Sequence, residues 1–280
     1  MKIISAVGIL FFMFVMSLAA IPANAPADFE EVEPRFSPDG TKLVFSSDKG
    51  RRHHIWVRGV DGKLPRQITK LNHDMEPNWS PDGKQIVFAS YGKTENGPFA
   101  IWVVNADGTN PKELIKPAGD SGDQYPCFSP DGQHIAFTHG NAIWIMDKDG
   151  GNPHALNSRK IGFQHCGQWS PSGQQIAYME VSVGNDYKIT VINSDGKENS
   201  LTSTSIVATQ VRWSSDGKYL FFSNGEGIFK IGSTGKGTPT RLIETKNGEA
   251  DFDISPDGKS VAYDDGGPDG TGKIYIKKLP

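Results

Sequence analysis

An all-β, six-bladed propeller of four-stranded antiparallel blades is the fold that this sequence of 280 residues predicts. Three observations predict it. The tetrapeptide Ser-Pro-Asp-Gly or a near copy begins at Ser37, Ser80, Ser129, Ser170, Ser214 and Ser255, with spacings of 43, 49, 41, 44 and 41 residues. Each copy is followed by a short run rich in Ile, Val, Phe and Tyr, and no convincing amphipathic helix appears beyond the first 25 residues. Self-similarity at about 40–45 residues is the signature of four-stranded blades stacked around an axis.

The elements of one repeat follow in order. An apolar residue stands just before each turn: Phe36, Trp79, Phe128, Trp169, Trp213 and Ile254. In the turn, proline presets φ, aspartate follows comfortably and glycine takes the left-handed conformation of a short bulged hairpin. Buried second strands are then expected at Lys42–Ser46, Gln85–Ala89, His134–Thr138, Gln175–Met179, Tyr219–Ser223 and Ser260–Asp264. Third strands carry Ile55-Trp56-Val57, Ile101-Trp102-Val103, Ile143-Trp144-Ile145, Ile189-Thr190-Val191, Ile228-Phe229-Lys230 and Ile274-Tyr275-Ile276. A short fourth strand closes each unit, as in Arg66–Thr69 and Lys112–Ile115. The sixth copy ends after its third strand, so residues 27–32, with Phe29 and Val32 turned inward, are expected to supply the missing strand. The alternative is a three-stranded last blade.

Residues 1–25 read as a secretory signal. Lys2 gives the positive start, Ile3 to Ile21 the apolar run, and Ala23-Asn24-Ala25 the small residues a signal peptidase accepts. Residues 26–280 then form a single propeller domain, exported to a periplasm or to the medium, with no membrane span after cleavage. The chain carries a net charge of −3, and removal of Lys2 makes the mature part slightly more acidic. That balance argues against nucleic acid, which needs a dense basic face; Arg51, Arg52, His53 and His54 are too short a cluster to change this.

The motif Pro77-Asn78-Trp79-Ser80-Pro81-Asp82-Gly83-Lys84-Gln85-Ile86-Val87-Phe88, followed by Ile101-Trp102-Val103-Val104-Asn105-Ala106-Asp107-Gly108, resembles the repeat of the TolB-like (WD40-like, PD40) propellers. TolB itself is the periplasmic component of the Tol–Pal system and carries an α/β domain ahead of its propeller. Here only Pro26 to Val32 stand between the signal segment and the first blade, so the resemblance implies the propeller family and not TolB. Together with the export signal and the absence of a recognisable catalytic set, it implies a non-enzymatic protein- or peptide-binding module of the envelope; a monomer is expected. Similar repeats also form the propellers of prolyl-oligopeptidase-like enzymes and of oligogalacturonate lyases.

A search for chemistry finds little. There is no Gly-x-Ser-x-Gly elbow, and Ser121 in Gly119-Asp120-Ser121-Gly122 reads as loop composition. Histidines lack the i, i+4 spacing of a hydrolytic zinc site, and Cys127 and Cys166 form no CxxC. These cysteines are expected as buried thiols on neighbouring inner strands, with a disulfide as the alternative. Blade topology places His53, His54, His73, Asp74, Asp123, His139 and His165 near one mouth. His73, Asp74 and His165 are the metal candidates, with calcium the expected ion if a cation binds; otherwise no cofactor is expected.

The position four residues before each turn serine lies on the inner strand near the axis. It holds Glu33, Glu76, Tyr125, Cys166, Gln210 and Asp251, and two residues on stand Arg35, Asn78, Cys127, Gln168, Arg212 and Asp253. A water-filled polar channel is expected there. Inner-strand carboxylates could pair with arginines, cap amides of the next blade, or line a binding site. The channel-mouth set is therefore Glu33, Glu76, His73, Asp74, Tyr125, His165, Gln210 and Asp251. A carbohydrate-active lyase or hydrolase on acidic glycans, with Tyr91, Phe99 and Tyr187 stacking on sugars, is the alternative to a binding module.

Overall fold

The structure is a computed structural model that describes residues 29–49, 52–93, 97–116, 122–156, 163–181, 187–196, 198–199, 208–245, 251–266 and 272–280. For 163–166, 187, 198 and 199 only the backbone is described. The signal segment and Ser121 lie outside these residues, as do the side chains of His165, Cys166 and Tyr187.

Every described element is a strand or a turn, and the strands form six antiparallel sheets. Blade one is β1 (Glu31–Phe36), β2 (Lys42–Ser47), β3 (His54–Gly59) and β4 (Arg66–Gln67). Blade two is β5 (Asp74–Trp79), β6 (Gln85–Ser90), β7 (Ala100–Asn105) and β8 (Lys112–Ile115). Blade three is β9 (Asp123–Phe128), β10 (His134–His139), β11 (Ala142–Asp147) and β12 (His154–Ala155). Blade four is β13 (Phe163–Trp169), β14 (Gln175–Val181), β15 (Tyr187–Asn193) and β16 (Glu198–Asn199). Blade five is β17 (Gln210–Trp213), β18 (Tyr219–Asn224), β19 (Gly227–Gly232) and β20 (Thr240–Glu244). Blade six is β21 (Phe252–Ile254), β22 (Ser260–Asp264) and β23 (Ile274–Lys278).

The second strand of each blade is buried on both faces, which is why it reads as a continuous apolar run. In β2, Val44 packs toward blade two with Trp79, Ile86 and Phe88. Its neighbours Leu43 and Phe45 point the other way, to Ala262 and Ile274 of blade six. Equivalent clusters fill the remaining seams. Side chains such as Phe45 and Phe88, at 1% and 0% exposure, each contribute about 1.5–3 kcal/mol by leaving water. Because β1 packs on β21 and β22, the ring is closed.

The turn tetrapeptide does two jobs. All six glycines have φ between 67° and 72°, a region that side chains with a Cβ avoid. In blade one Ser37 Oγ donates to Asp39 Oδ1 at 2.6 Å, and Asp39 Oδ1 accepts the Thr41 N–H at 3.0 Å. The turn also touches its neighbour: a methyl group on Gly83 would lie 3.8 Å from Pro38 Cδ, and one on Gly40 would lie 3.6 Å from Pro256 Cδ. Prolines of one blade thus sit against glycines of the next, including across the closing seam.

One expectation is corrected. Residues 31 and 32 do not form an outer strand of blade six. They open the inner strand of blade one, where Glu31 pairs with Ser47 and Val32 with Ser46. Among the described residues blade six has three strands, with Phe29 held at its corner by Lys273, whose Nζ lies 3.9 Å from the ring centroid and also donates to the Phe29 carbonyl.

Candidate functional site

Four of the six inner strands, those of blades one to four, carry a bulge where the axis is approached. The register slips between Val32 and Arg35 and between Met75 and Asn78, with further slips in β9 and β13. Glu33, Glu76 and Tyr125 sit at the bulges with φ of 58°, 57° and 53°. A bulge bends the strand and re-aims one side chain, and here it turns the carboxylates along the ring. Glu33 Oε2 accepts the Glu76 N–H at 2.6 Å and the Ser46 hydroxyl at 2.7 Å. Glu76 Oε2 accepts the Tyr125 N–H at 2.5 Å. Across the closing seam, Asp264 Oδ2 accepts the Glu33 N–H at 3.1 Å. Each of these three acids thus satisfies an amide that the next blade's bulge has taken out of its ladder.

Below this tier lie two arginines. Arg35 Nη1 donates to the Pro34 carbonyl at 2.7 Å, and Arg212 Nη1 to the Val211 carbonyl at 2.8 Å. Arg212 also bonds Gln210 Oε1 at 3.0 Å and lies 3.6 Å from Asp253, whose other oxygen accepts the Phe36 N–H at 2.8 Å. The free space between Arg35, Glu76, Asn78, Tyr125, Gln168 and Arg212 is about 10 Å³, on the order of one water. Between these residues the expected water-filled channel narrows to room for about one water.

Burial dominates the electrostatics. It pushes Glu33 up to about 7, with the nearby Asp251 adding to the shift and the Ser46 and Glu76 hydrogen bonds opposing it. Glu76 is raised well above the usual range by burial and then by Glu33, and Asp264 by burial and then by Asp251. Asp251 and Asp253 are also raised by burial, against the pull of Arg35 and Arg212.

At the mouth, loops joining second to third strands meet the segments entering the next blade. His73, with φ of 53°, stacks on Tyr91 at 5.2 Å and meets His53 edge-on at 5.2 Å; Tyr91 lies 4.2 Å from Phe99. Burial lowers both histidines, His53 to about 4 with His73 as the second cause. They are thus neutral rings at neutral pH, and with Tyr91 and Phe99 they make a half-buried amphipathic patch.

Of the sequence-derived set, Glu33 and Glu76 come together on the axis, with Tyr125 as acceptor-bound amide. Gln210 is held by Arg212, and the Asp251 N–H faces Asp264 at 3.4 Å. Asp74 is fully buried: its Oδ2 takes Thr69 at 2.5 Å and His54 at 3.0 Å, and its Oδ1 takes Ser90 at 2.6 Å. Asp123 is tied to His139 at 2.6 Å in the same manner. Among the described residues no three His, Cys, Asp or Glu side chains converge as metal ligands. Cys127 is a free, buried thiol that donates to the Gly167 carbonyl at 3.0 Å. Asp264 was not among the expected residues. Its signal is a carboxylate nine residues after a turn serine, where the other copies hold Ser46, Ala89, Thr138, Met179 and Ser223.

Residues 13–142 match the family described as the TolB beta propeller domain (PD40). That match takes in a little under half of the chain, and the fold of the described residues is a six-bladed propeller. A putative TolB from Agrobacterium tumefaciens superposes with a TM-score of 0.70 at 20% identity, covering 90% of each chain. TolB from Acinetobacter baumannii gives 0.63 at 23% identity, over 73% of this chain and 52% of that one. A gluconolactonase from Xanthomonas campestris gives 0.68 at 17% identity, over 90% and 86%. These likenesses share the fold. By sequence, the chain is 28% identical over 158 residues to an uncharacterized protein of Agrobacterium fabrum. The match takes in 51% of this chain and about half, 53%, of that relative.

Proposed function

We propose that this TolB-type propeller is an exported, non-enzymatic module of the cell envelope that binds a protein or peptide partner at its mouth. The observation that carries this reading is the contrast between axis and mouth. On the axis Glu33, Glu76 and Asp264 are engaged with backbone amides, and the space left is on the order of one water. At the mouth His73, Tyr91 and Phe99 form a contiguous half-buried aromatic patch. Aromatic groups with a polar edge are the residues that dominate protein contact energies. The signal-like segment supports a periplasmic or secreted location. The test is capture from envelope extract with the wild-type chain and with Tyr91→Ala/Phe99→Ala; equal capture by both would defeat the reading.

A second reading, a lyase or hydrolase acting on acidic glycans, is favoured by one observation. The Glu33 carboxyl, pushed up to about 7, lies in the range where a group serves as acid and base at neutral pH. The fold is shared with a protein described as a gluconolactonase. Turnover of uronate-containing polysaccharides, lost in Glu33→Gln, would raise this reading above the first.

A further inference from the structure

Blade six differs from the other five along its outer edge. In blades one to five the third strand is covered by a fourth. In blade one the Ile55 carbonyl accepts the Ile68 N–H at 2.7 Å, and in blade three Ile143 accepts from Leu156 at 2.8 Å. Ile274 is the equivalent residue of blade six, and no described strand lies beside it. In an antiparallel strand the N–H and C=O of one residue point to the same side, and those of alternate residues point alike. Ile274, Ile276 and Lys278 therefore present their backbone groups outward. Tyr275 and Ile276 are 45% and 38% exposed, two of only five large apolar side chains so exposed among the described residues.

The charge on this edge selects what can cover it. Lys273, Lys277 and Lys278 flank it, and β23 carries no carboxylate. Two copies paired edge to edge would face lysines with lysines, the device by which natural edges resist self-association. Residues 1–28 offer one acid, Asp28, against Lys2, so they bring no complementary charge either. An acidic strand does.

The register comes from the covered blades. In blade two Val103 pairs with Lys112, Trp102 with Glu113 and Ile101 with Ile115. In blade five Lys230 pairs with Thr240, Phe229 with Arg241 and Ile228 with Ile243. Both fourth strands begin polar and then run Leu-Ile, followed in blade five by Glu244, and those aliphatic residues join the seam clusters. Mapped onto blade six, Ile276 faces the first of four residues and Ile274 the last. Residues further upstream fall opposite Lys277 and Lys278.

We propose that the open edge of β23 binds an extended peptide segment of a partner protein as the blade's fourth strand, one that is acidic in its first half and aliphatic at its end. Main-chain bonds give such strand addition its affinity, and side-chain pockets give its specificity. The site lies apart from His73, Tyr91 and Phe99 and does not depend on the mouth reading.

The test uses the full chain and two blocked octapeptides, GDETELIG and its charge-swapped control GKKTKLIG. Titration by fluorescence anisotropy is expected to show binding of the first at least tenfold tighter than the second. Backbone amide exchange at Ile276 should slow on binding. Ile276→Pro, which removes an outward N–H that β22 does not use, and Lys277→Glu/Lys278→Glu, which reverses the edge charge at two exposed side chains, should each lose at least tenfold while the thermal midpoint holds. Tyr91→Ala should bind the peptide as wild type does, so failure here is separable from failure at the mouth. Equal binding of the two peptides, or none, overturns the proposal. So does a slow Ile276 amide in the free chain: independent of concentration it would mean the chain's own upstream residues occupy the edge, and rising with concentration it would mean a second copy does.

Discussion

The Glu33 carboxylate accepts the backbone N–H of Glu76 at 2.6 Å, across the seam between the first two blades. The same relation recurs from Glu76 to Tyr125 and, through Asp264, from blade six back to Glu33. Half of the ring is thereby stitched by acids that cap the next blade's bulge.

Removing one stitch is expected to cost more than removing its charge. Glu33→Ala leaves the Glu76 amide buried and unpaired, which costs about 1–3 kcal/mol. Glu33→Gln keeps an acceptor oxygen and should lose less than half as much. Urea denaturation of the three proteins at pH 7 checks this, and equal losses would mean the charge, not the cap, matters.

The buried acids also set a pH dependence. Glu33 is raised from 4.5 to about 7, so the folded state holds its proton where the unfolded chain has released it. Its contribution is complete below pH ~4.5 and is lost as pH rises to ~7, a change on the order of 3 kcal/mol. Glu76, Asp264, Asp251 and Asp253 are raised as well and act in the same direction. Protonation leaves the cap intact, because Glu33 Oε2 takes both hydrogen bonds and Oε1 can carry the proton. The turn aspartates oppose this at the acid end: Asp39 is lowered to about 2 by the Ser37 hydroxyl and the Thr41 bonds, and its contribution is lost as pH falls from ~4 toward 2. Thermal midpoints between pH 3 and 8 should peak near pH 4–5, and Glu33→Gln should flatten the alkaline limb.

Two turns depart from the tetrapeptide and should be improvable. In blade four Ser172 stands for aspartate, 3.1 Å from Ser170 Oγ and 3.3 Å from the Gln174 N–H, where Asp39 makes 2.6 and 3.0 Å. In blade five Ser215 replaces the proline that elsewhere sits on the next blade's glycine. Ser172→Asp and Ser215→Pro are each expected to stabilise by about 0.4–1 kcal/mol, the latter partly by restricting the unfolded chain. Denaturant midpoints at pH 7 decide it.

Cys127 should be inert in the folded protein. Burial pushes its thiol up to about 12, and the thiolate is the reactive form. Modification by a thiol reagent at pH 8 should proceed only at the rate of unfolding, and become fast in denaturant.

Much of the architecture is legible in the sequence because turn chemistry is local. Pro-Asp-Gly sets its own backbone, so the six turns and the second strands after them fall within two residues of expectation, as in Gln85–Ser90 and Ser260–Asp264. The inner-strand ruler four residues before each serine also found Glu33 and Glu76. What it could not give is the direction of those side chains. That depends on the bulge, a non-local slip against the second strand that has no residue signature, since Glu, Glu and Tyr all adopt it. Asp264 was missed for the same reason: it stands in for blade six's cap from a different strand. The last blade was misread because the chain entering β1 passes the corner of blade six at Phe29 without pairing along β23.

The proposed division between a structural axis and a contact mouth is tested most directly by one comparison. Capture from envelope extract is measured quantitatively for the wild type, for Glu33→Gln on the axis and for Tyr91→Ala/Phe99→Ala at the mouth, all at matched folded concentration. The axis variant is expected to retain wild-type capture while the mouth variant loses at least tenfold. Loss in the axis variant with full retention in the mouth variant would contradict it.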